Sequence, residues 1–167
     1  MIVVAGSDIA KAVNDLWDSS GLDTVFTALW EAGMTDHFEA LNDGEAAPRQ
    51  PFPYCVSEQG PTVVESRMSS VETNSKRHIH DVPWTFRIHA AVIDGDARDA
   101  KEIAGDMAEQ LMQVFGGHPT VSPTDLVLAN GNFLISQYQT DYPVRESDDV
   151  FQWIVSYIFR LDVPVAV

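Results

Sequence analysis

Hydrophobic positions change their period several times along this 167-residue chain. After Ser7, the stretch DIAKAVNDLW places Ile9, Ala12, Val13 and Leu16 three or four apart, the spacing that lines one side of a helix. Ser7 suits a helix N-cap and Asp8 puts negative charge in the first turn, so an N-terminal helix is expected within residues 1–20. SSG interrupts it. Leu22, Val25, Phe26 and Leu29 then repeat the helical spacing up to Gly33, a residue able to end a helix. NDGEAAPRQPFP, with three prolines and no period, reads as a surface connection. YCVSEQGPTVVES predicts a strand from Tyr54 to Glu58, a break at Gly60 and Pro61, and a second brief strand. From Arg67 to Asp81 the chain is polar, rich in serine and without either period, which predicts a long loop or mobile arm over residues 65–82.

The pattern then sharpens. In WTFRIHAAVID, Trp84, Phe86, Ile88, Ala90 and Val92 fall on one face of a strand, and Thr85, Arg87, His89, Ala91 and Ile93 on the other. DGDARD supplies a turn and a helix start, after which Ala100, Ile103, Ala104, Met107, Ala108, Leu111, Val114 and Phe115 line one helical side. At ~1.5–3 kcal/mol for each large side chain buried, that stripe is worth on the order of 10 kcal/mol before chain entropy is subtracted. GGHP ends the helix, with Gly116 as a left-handed cap and Pro119 barring continuation. The last third reads as β: a short run from Leu126 to Leu128, a hairpin turn at NGN (130–132), a strand in FLISQYQTDYPV, and an acidic turn, RESDD. The final stretch sets Phe151, Trp153, Val155, Tyr157, Phe159, Leu161 and Val163 against Gln152, Ile154, Ser156, Ile158, Arg160 and Asp162. It exceeds the ordinary strand length of about 3–10 residues, so its far end is expected to leave the core or to pair outside the domain. The order of elements predicts an α+β fold: a mostly antiparallel sheet with helices packed on one face.

Composition narrows this to one ordered domain over residues 1–167, since 45% of the residues are hydrophobic and 10% aromatic. No apolar run approaches the ~18 residues that cross a bilayer, and the N-terminus lacks the pattern of a signal peptide, so the chain reads as soluble and intracellular. The single cysteine, Cys55, excludes an internal disulfide and a multi-thiolate zinc site; its apolar neighbours mark it as a buried hydrophobe. A formal charge of −15 disfavours attraction to nucleic acid or to anionic membranes, both of which bind through Lys and Arg.

Candidate chemistry is sparse. In HIHD, His78 and His80 point the same way on an extended backbone and stand beside Asp81, a spacing compatible with a shared metal. The other three histidines, His37, His89 and His118, have no ligand spacing, and no metal is assigned. GGHP lacks the Lys-Ser/Thr of a phosphate loop, AGSDIA lacks a preceding strand and the third glycine, and no nucleophile elbow occurs. Asp94/Asp96 and Asp148/Asp149 have the makings of acid–base pairs, but turns favour Asp for backbone reasons. Neither a catalytic residue nor a cofactor is expected, and the chain does not read as an enzyme.

Taken in order, the pattern resembles a known family. N-terminal helices, a strand with Pro53, Tyr54 and Val56 that ends in glycine, and a long polar loop come first. A W-x-F-x-I-x-A strand, an A-x-x-I-A-x-x-M-x-x-x-L helix and a last strand ending RLDVPV follow. From about residue 22 to 165 this is similar to the tail-terminator, or tail-completion, proteins of long-tailed bacteriophages and phage-like tails. The resemblance implies a hexameric ring that caps the tail tube at its head-proximal end, halts tube growth and meets the head-completion proteins. It implies a place in the neck or tail of the virion after assembly in the host cytoplasm, with no catalysis, no cofactor and no membrane. Genome DNA would pass through the channel without specific binding, repelled by acidic side chains; a channel lined by Lys76, Arg77, Arg87 and Arg145 would contradict that. The expected contacts to neighbours are Arg67, Lys76, Arg77, His78 and His80 in the arm, Trp84 and Arg87 in the strand that follows, and Tyr157, Phe159, Arg160 and Asp162 in the last strand. Two-sided strands carry more apolar surface than one helical layer covers, and a neighbour in a ring would cover the rest. Competing readings are another head-completion or minor tail component, and a small acidic ligand-binding or adaptor domain.

Overall fold

The two helices among the described residues bury the stripes that their spacing predicts. In the computed structural model, which describes residues 5–22, 37–39, 53–68, 76–92, 94–128 and 133–164, α1 spans Ala5–Ser20 and α2 spans Ala100–Phe115. Ile9, Val13 and Trp17 of α1 and Ile103, Met107, Leu111 and Phe115 of α2 are buried. A capping box starts α2: the Asp99 carboxylate accepts from the Glu102 N–H at 2.8 Å, and the Glu102 carboxylate accepts from the Asp99 N–H at 3.0 Å. Its end differs from the left-handed cap expected. Gly116 has φ +118 and ψ 166, a region open in practice only to glycine, while its N–H donates to the Met112 carbonyl at 2.9 Å.

Among the described residues seven strands form one sheet: β1 (His37–Glu39), β2 (Tyr54–Gln59), β3 (Val63–Met68), β4 (Lys76–Ala91), β5 (Leu126–Val127), β6 (Phe133–Arg145) and β7 (Val150–Pro164). The spatial order is β1-β2-β4-β7-β6-β5, with β3 also on β4. Every pair is antiparallel except β1 with β2. The fold is α+β, as the order of elements predicts.

β2 pairs with Trp84–His89 and β3 with Lys76–Asp81, so the two lie end to end along one edge of β4. At their junction the Gly60 N–H donates to the Pro83 carbonyl at 2.8 Å. The N and C=O of a strand residue face the same neighbour, so the N–H that Pro83 lacks falls at this gap.

The main difference from the sequence reading lies at residues 65–82. Where a loop or arm is expected, residues 65–68 belong to β3 and 76–82 to β4; residues 69–75 lie outside the described set. The 16-residue β4 is central, paired with β3 and then β2 on one side and with β7 on the other, from Arg77↔Pro164 to Ala91↔Val150. Backbone pairing on both sides overrides a side-chain pattern that alone gives no strand signal. Of the second expected helix, only Leu22 is described, and the expected turn at 130–132 also lies outside.

Both helices pack on one face. Val82, Trp84, Phe86, Ile88 and Ala90 of β4 and Val155, Tyr157, Phe159 and Leu161 of β7 are buried there, whereas Val92, just past the strand, is exposed. Trp17 stacks on Phe86 at 6.2 Å, Phe115 lies 4.9 Å from Phe86, and Tyr157 meets Phe86 edge-on at 5.9 Å. Each buried aromatic of this cluster adds about 1.5–3 kcal/mol of burial, before the smaller gain from ring geometry.

Candidate interaction surface

Among the described side chains of β4, full burial begins at Val82: Ile79, His80 and Asp81 before it are half-buried, and Val63 and Val64 on β3 are 56% and 50% exposed. The reason is the reach of α2. Its C-terminal end is fixed where the Tyr157 hydroxyl donates to the Gly116 carbonyl at 2.6 Å, and Tyr157 pairs with Trp84. A 16-residue helix spans about 24 Å, whereas β4 at ~3.3 Å per residue spans about 50 Å. The first residues of β4, with β3 beside them and the end of β7 on the other side, therefore form a ribbon that runs past α2.

Most of the residues expected at an interface lie on this ribbon. Arg67 of β3 stands across from Arg77 of β4, Met68 from Lys76, and Ser66 from His78. His80 stands between Val64 and Leu161, and Asp162 across from Ile79. Arg160 donates to Asp81 through Nε and Nη2, both at 2.7 Å, a two-pronged pair that ties β7 to β4. Three others need correction. Trp84, Tyr157 and Phe159 are 3%, 1% and 0% exposed, held in the core by the helices, so any partner contact here passes to the residues that alternate with them.

Within HIHD, the described side chains are those of Ile79, His80 and Asp81. Asp81 alternates to the opposite face from His80 and is engaged by Arg160. Among the described residues no group of three or more His, Cys, Asp and Glu side chains is placed to hold a metal. Asp96 accepts from the Arg98 N–H at 2.9 Å and from its guanidinium, and Asp148 from Arg145 at 2.6 Å, the backbone and charge duties that turns give to Asp. Asp96 and Asp106 together raise the Arg98 pKa, so the cation beside the shallow, open depression of about 540 Å³ next to Trp153 is already neutralised.

On the face away from the helices, Tyr54 stacks on His89 at 4.6 Å, the His89 Nδ1 lies 3.4 Å from Glu146, and Arg87 reaches Glu58 at 3.3 Å. Burial holds His89 below its usual range, opposed by the Glu146 charge; burial and then Glu146 raise Tyr54. Arg87 is thus paired within its own chain. Cys55 is buried on the helix side and its thiol pKa is driven upward by desolvation.

Sequence reasoning missed one network. The Tyr138 hydroxyl and the Trp153 indole N–H both donate to Asp141, the latter at 2.8 Å, and the Tyr138 ring meets Tyr157 at 6.1 Å. Burial, then the bond to Asp141, pushes Tyr138 up to about 12, so it remains a donor at ordinary pH. A register shift between Tyr138 and Thr140 makes this possible by turning both Tyr138 and Asp141 toward α2.

No protein-family model matches the chain and no curated protein matches it in sequence. Among solved structures it aligns with a chain described as from the "virion of native gene transfer agent (GTA) particle", at 18% identity and a TM-score of 0.49, over 96% of this chain and 99% of that one. None of the described helices is long and apolar enough to cross a membrane.

Proposed function

We propose that this protein is a structural subunit of a phage-like neck or tail, which joins identical copies in a closed, six-membered ring, caps the tail tube and meets the head-completion proteins. The observation that carries the reading is the ribbon, a length of well-paired sheet held beyond the reach of α2, with Val63 and Val64 at least half solvated. A subunit that works alone gains nothing from such an extension, whereas a neighbour's surface can cover it. The order of sequence motifs points to the tail-terminator pattern, and the α+β fold agrees with what that pattern requires. DNA would pass the ring without specific binding, consistent with the −15 charge.

Sedimentation velocity of the purified protein tests this. A discrete closed oligomer, with six copies by mass, is expected. A monomer at every concentration that also retains a stoichiometric small molecule would replace the ring with a ligand-binding domain.

A further inference from the structure

Charge cancels on the face of the sheet turned away from the helices, and does so on no other described surface of that size. α1 carries Asp8, Asp15 and Asp18 against Lys11, and α2 carries Glu102, Asp106 and Glu109 against Lys101. The turns at 94–99 and 145–149 carry six acidic residues against Arg98 and Arg145. On the outward face from Asp81 to Ala91 of β4, with the stretches of β2, β7 and β6 laid beside them, the charged side chains are Glu58, Arg87, Asp81 and Arg160. Glu58 pairs with Arg87 at 3.3 Å, and Asp81 accepts both prongs of Arg160 at 2.7 Å. This face is therefore neutral in a chain of formal charge −15.

Its middle is apolar. One row across the strands holds Val56, Arg87, Ile154 and Tyr142, and Pro83 stands beside Ile158 in the next but one. An antiparallel sheet face left to water alternates to polar side chains, which this one does only in part. No described helix lies over it, and Tyr142 is 46% exposed. At ~3.3 Å per residue and ~4.8 Å between strands, this part of the face covers about 600 Å² in projection. Corrugated by side chains, that approaches the ~800 Å² that one partner brings to an interface of standard size. A basic partner would be drawn instead to the acidic helices and turns. The neutral face suits a partner that those surfaces repel, which describes another copy of the same acidic chain.

We infer that a second copy of this chain covers the outward face of the sheet, and that this face is the seam between neighbours. This rests on the reading above that copies assemble, and it names the surface. In a closed ring the contact is heterologous, so the face meets a different surface of the next copy. With no unpaired charge on the face, added salt acts by screening the repulsion between acidic subunits. Raising NaCl from about 0.01 to about 1 M shortens the screening length from about 30 Å to about 3 Å, and assembly should tighten across that range.

The test places a thiol on the face. Thr85→Cys and Ser156→Cys are labelled with a maleimide below and above the concentration at which the parent assembles, Cys55 being buried. Labelling of both should slow on the order of tenfold or more on assembly, because thiol reactivity requires access. Equal rates in monomer and oligomer leave the face open and overturn the seam, while the ring stands. Slow labelling already in the monomer shows that the chain covers this face itself and overturns the seam as well. Ser156→Arg, with a circular dichroism spectrum like the parent's, should sediment as a monomer where the parent assembles; assembly undiminished in this variant, or parent assembly that weakens as NaCl rises, counts against the seam. A parent that is monomeric at every concentration and every NaCl level overturns both the seam and the ring.

Discussion

Gly117→Ala tests the packing where α2 meets β6. Gly117 has φ +98, which costs an L-residue about 1–3 kcal/mol when the surroundings hold it there. A Cβ at this position would lie 2.4 Å from Cδ2 and 2.8 Å from Cγ of Tyr138, inside any real contact distance. The ring must therefore move, although its hydroxyl is bound to Asp141 and its edge rests against Tyr157. Forced shifts of this kind cost about 1–3 kcal/mol, and because Tyr138 is 37% exposed and can swing outward, the lower half of that range applies. The sum is about 2–5 kcal/mol, a large part of the stability of a domain of this size. Urea unfolding followed by tryptophan fluorescence reads it. The two contributions separate in a Tyr138→Ala background, where the clash is absent and Gly117→Ala should cost only the backbone strain, leaving a coupling of about 1 kcal/mol or more between the sites. Equal costs in both backgrounds would show that the ring does not press on Gly117, and a Gly117→Ala protein as stable as the parent would refute the whole account.

Three further outcomes follow from other parts of the fold. Burial holds the folded-state pKa of His89 below its unfolded value of 6.5, so the unfolded chain takes up the proton first; this contribution to stability is complete above pH 6.5 and is lost as pH falls through the folded pKa. Urea midpoints should therefore fall more steeply with acidification in the parent than in His89→Gln. Cys55, buried with its thiol pKa raised, should resist an aromatic disulfide reagent in the native protein and react with one equivalent in urea; rapid native reaction would place it at the surface. Arg160→Lys should lose nearly as much stability as Arg160→Ala, about 1 kcal/mol for a partly solvated pair, because an ammonium cannot reproduce the two-pronged bond to Asp81; full retention by lysine would refute the geometric argument.

What the sequence revealed depended on whether several signals agreed at one place. They agreed for α2, where the helix start in DGDARD, the stripe from Ala100 to Phe115 and the closing GGHP all gave the same boundaries. They were absent for Lys76–Asp81, where both sides are polar except for Ile79 and only pairing with β3 and β7 makes a strand. The Tyr138–Asp141–Trp153 network was hidden for a different reason. Strict alternation puts positions 138 and 141 on opposite faces, and only the extra residue at the register shift brings them to the same one. Trp84, Tyr157 and Phe159 show a limit of any interface reading from sequence: an aromatic residue on a central strand looks the same whether its own helices or another molecule will cover it.

Two prolines and a glycine, far apart in sequence, then account for why the ribbon is a separate feature rather than a continuation of the covered sheet. Gly60 and Pro61 end β2, and across from them Pro83 offers a carbonyl but no N–H toward that edge. A single strand running through this point would leave one of its own carbonyls without a donor, so the edge divides into β2 and β3. A Cβ on Gly60 would lie 3.0 Å from that of Pro83, so the two backbones approach this closely only because residue 60 is glycine. The division falls beside Val82, where burial on β4 begins. On one side of it, β2 is tied to the core through Cys55 and Ser57; on the other, β3 depends on β4 alone among the described strands. The covered sheet and the ribbon thus share β4 and β7 but not their outer edge, which sets β3 apart from the packing of Phe86 and Tyr157.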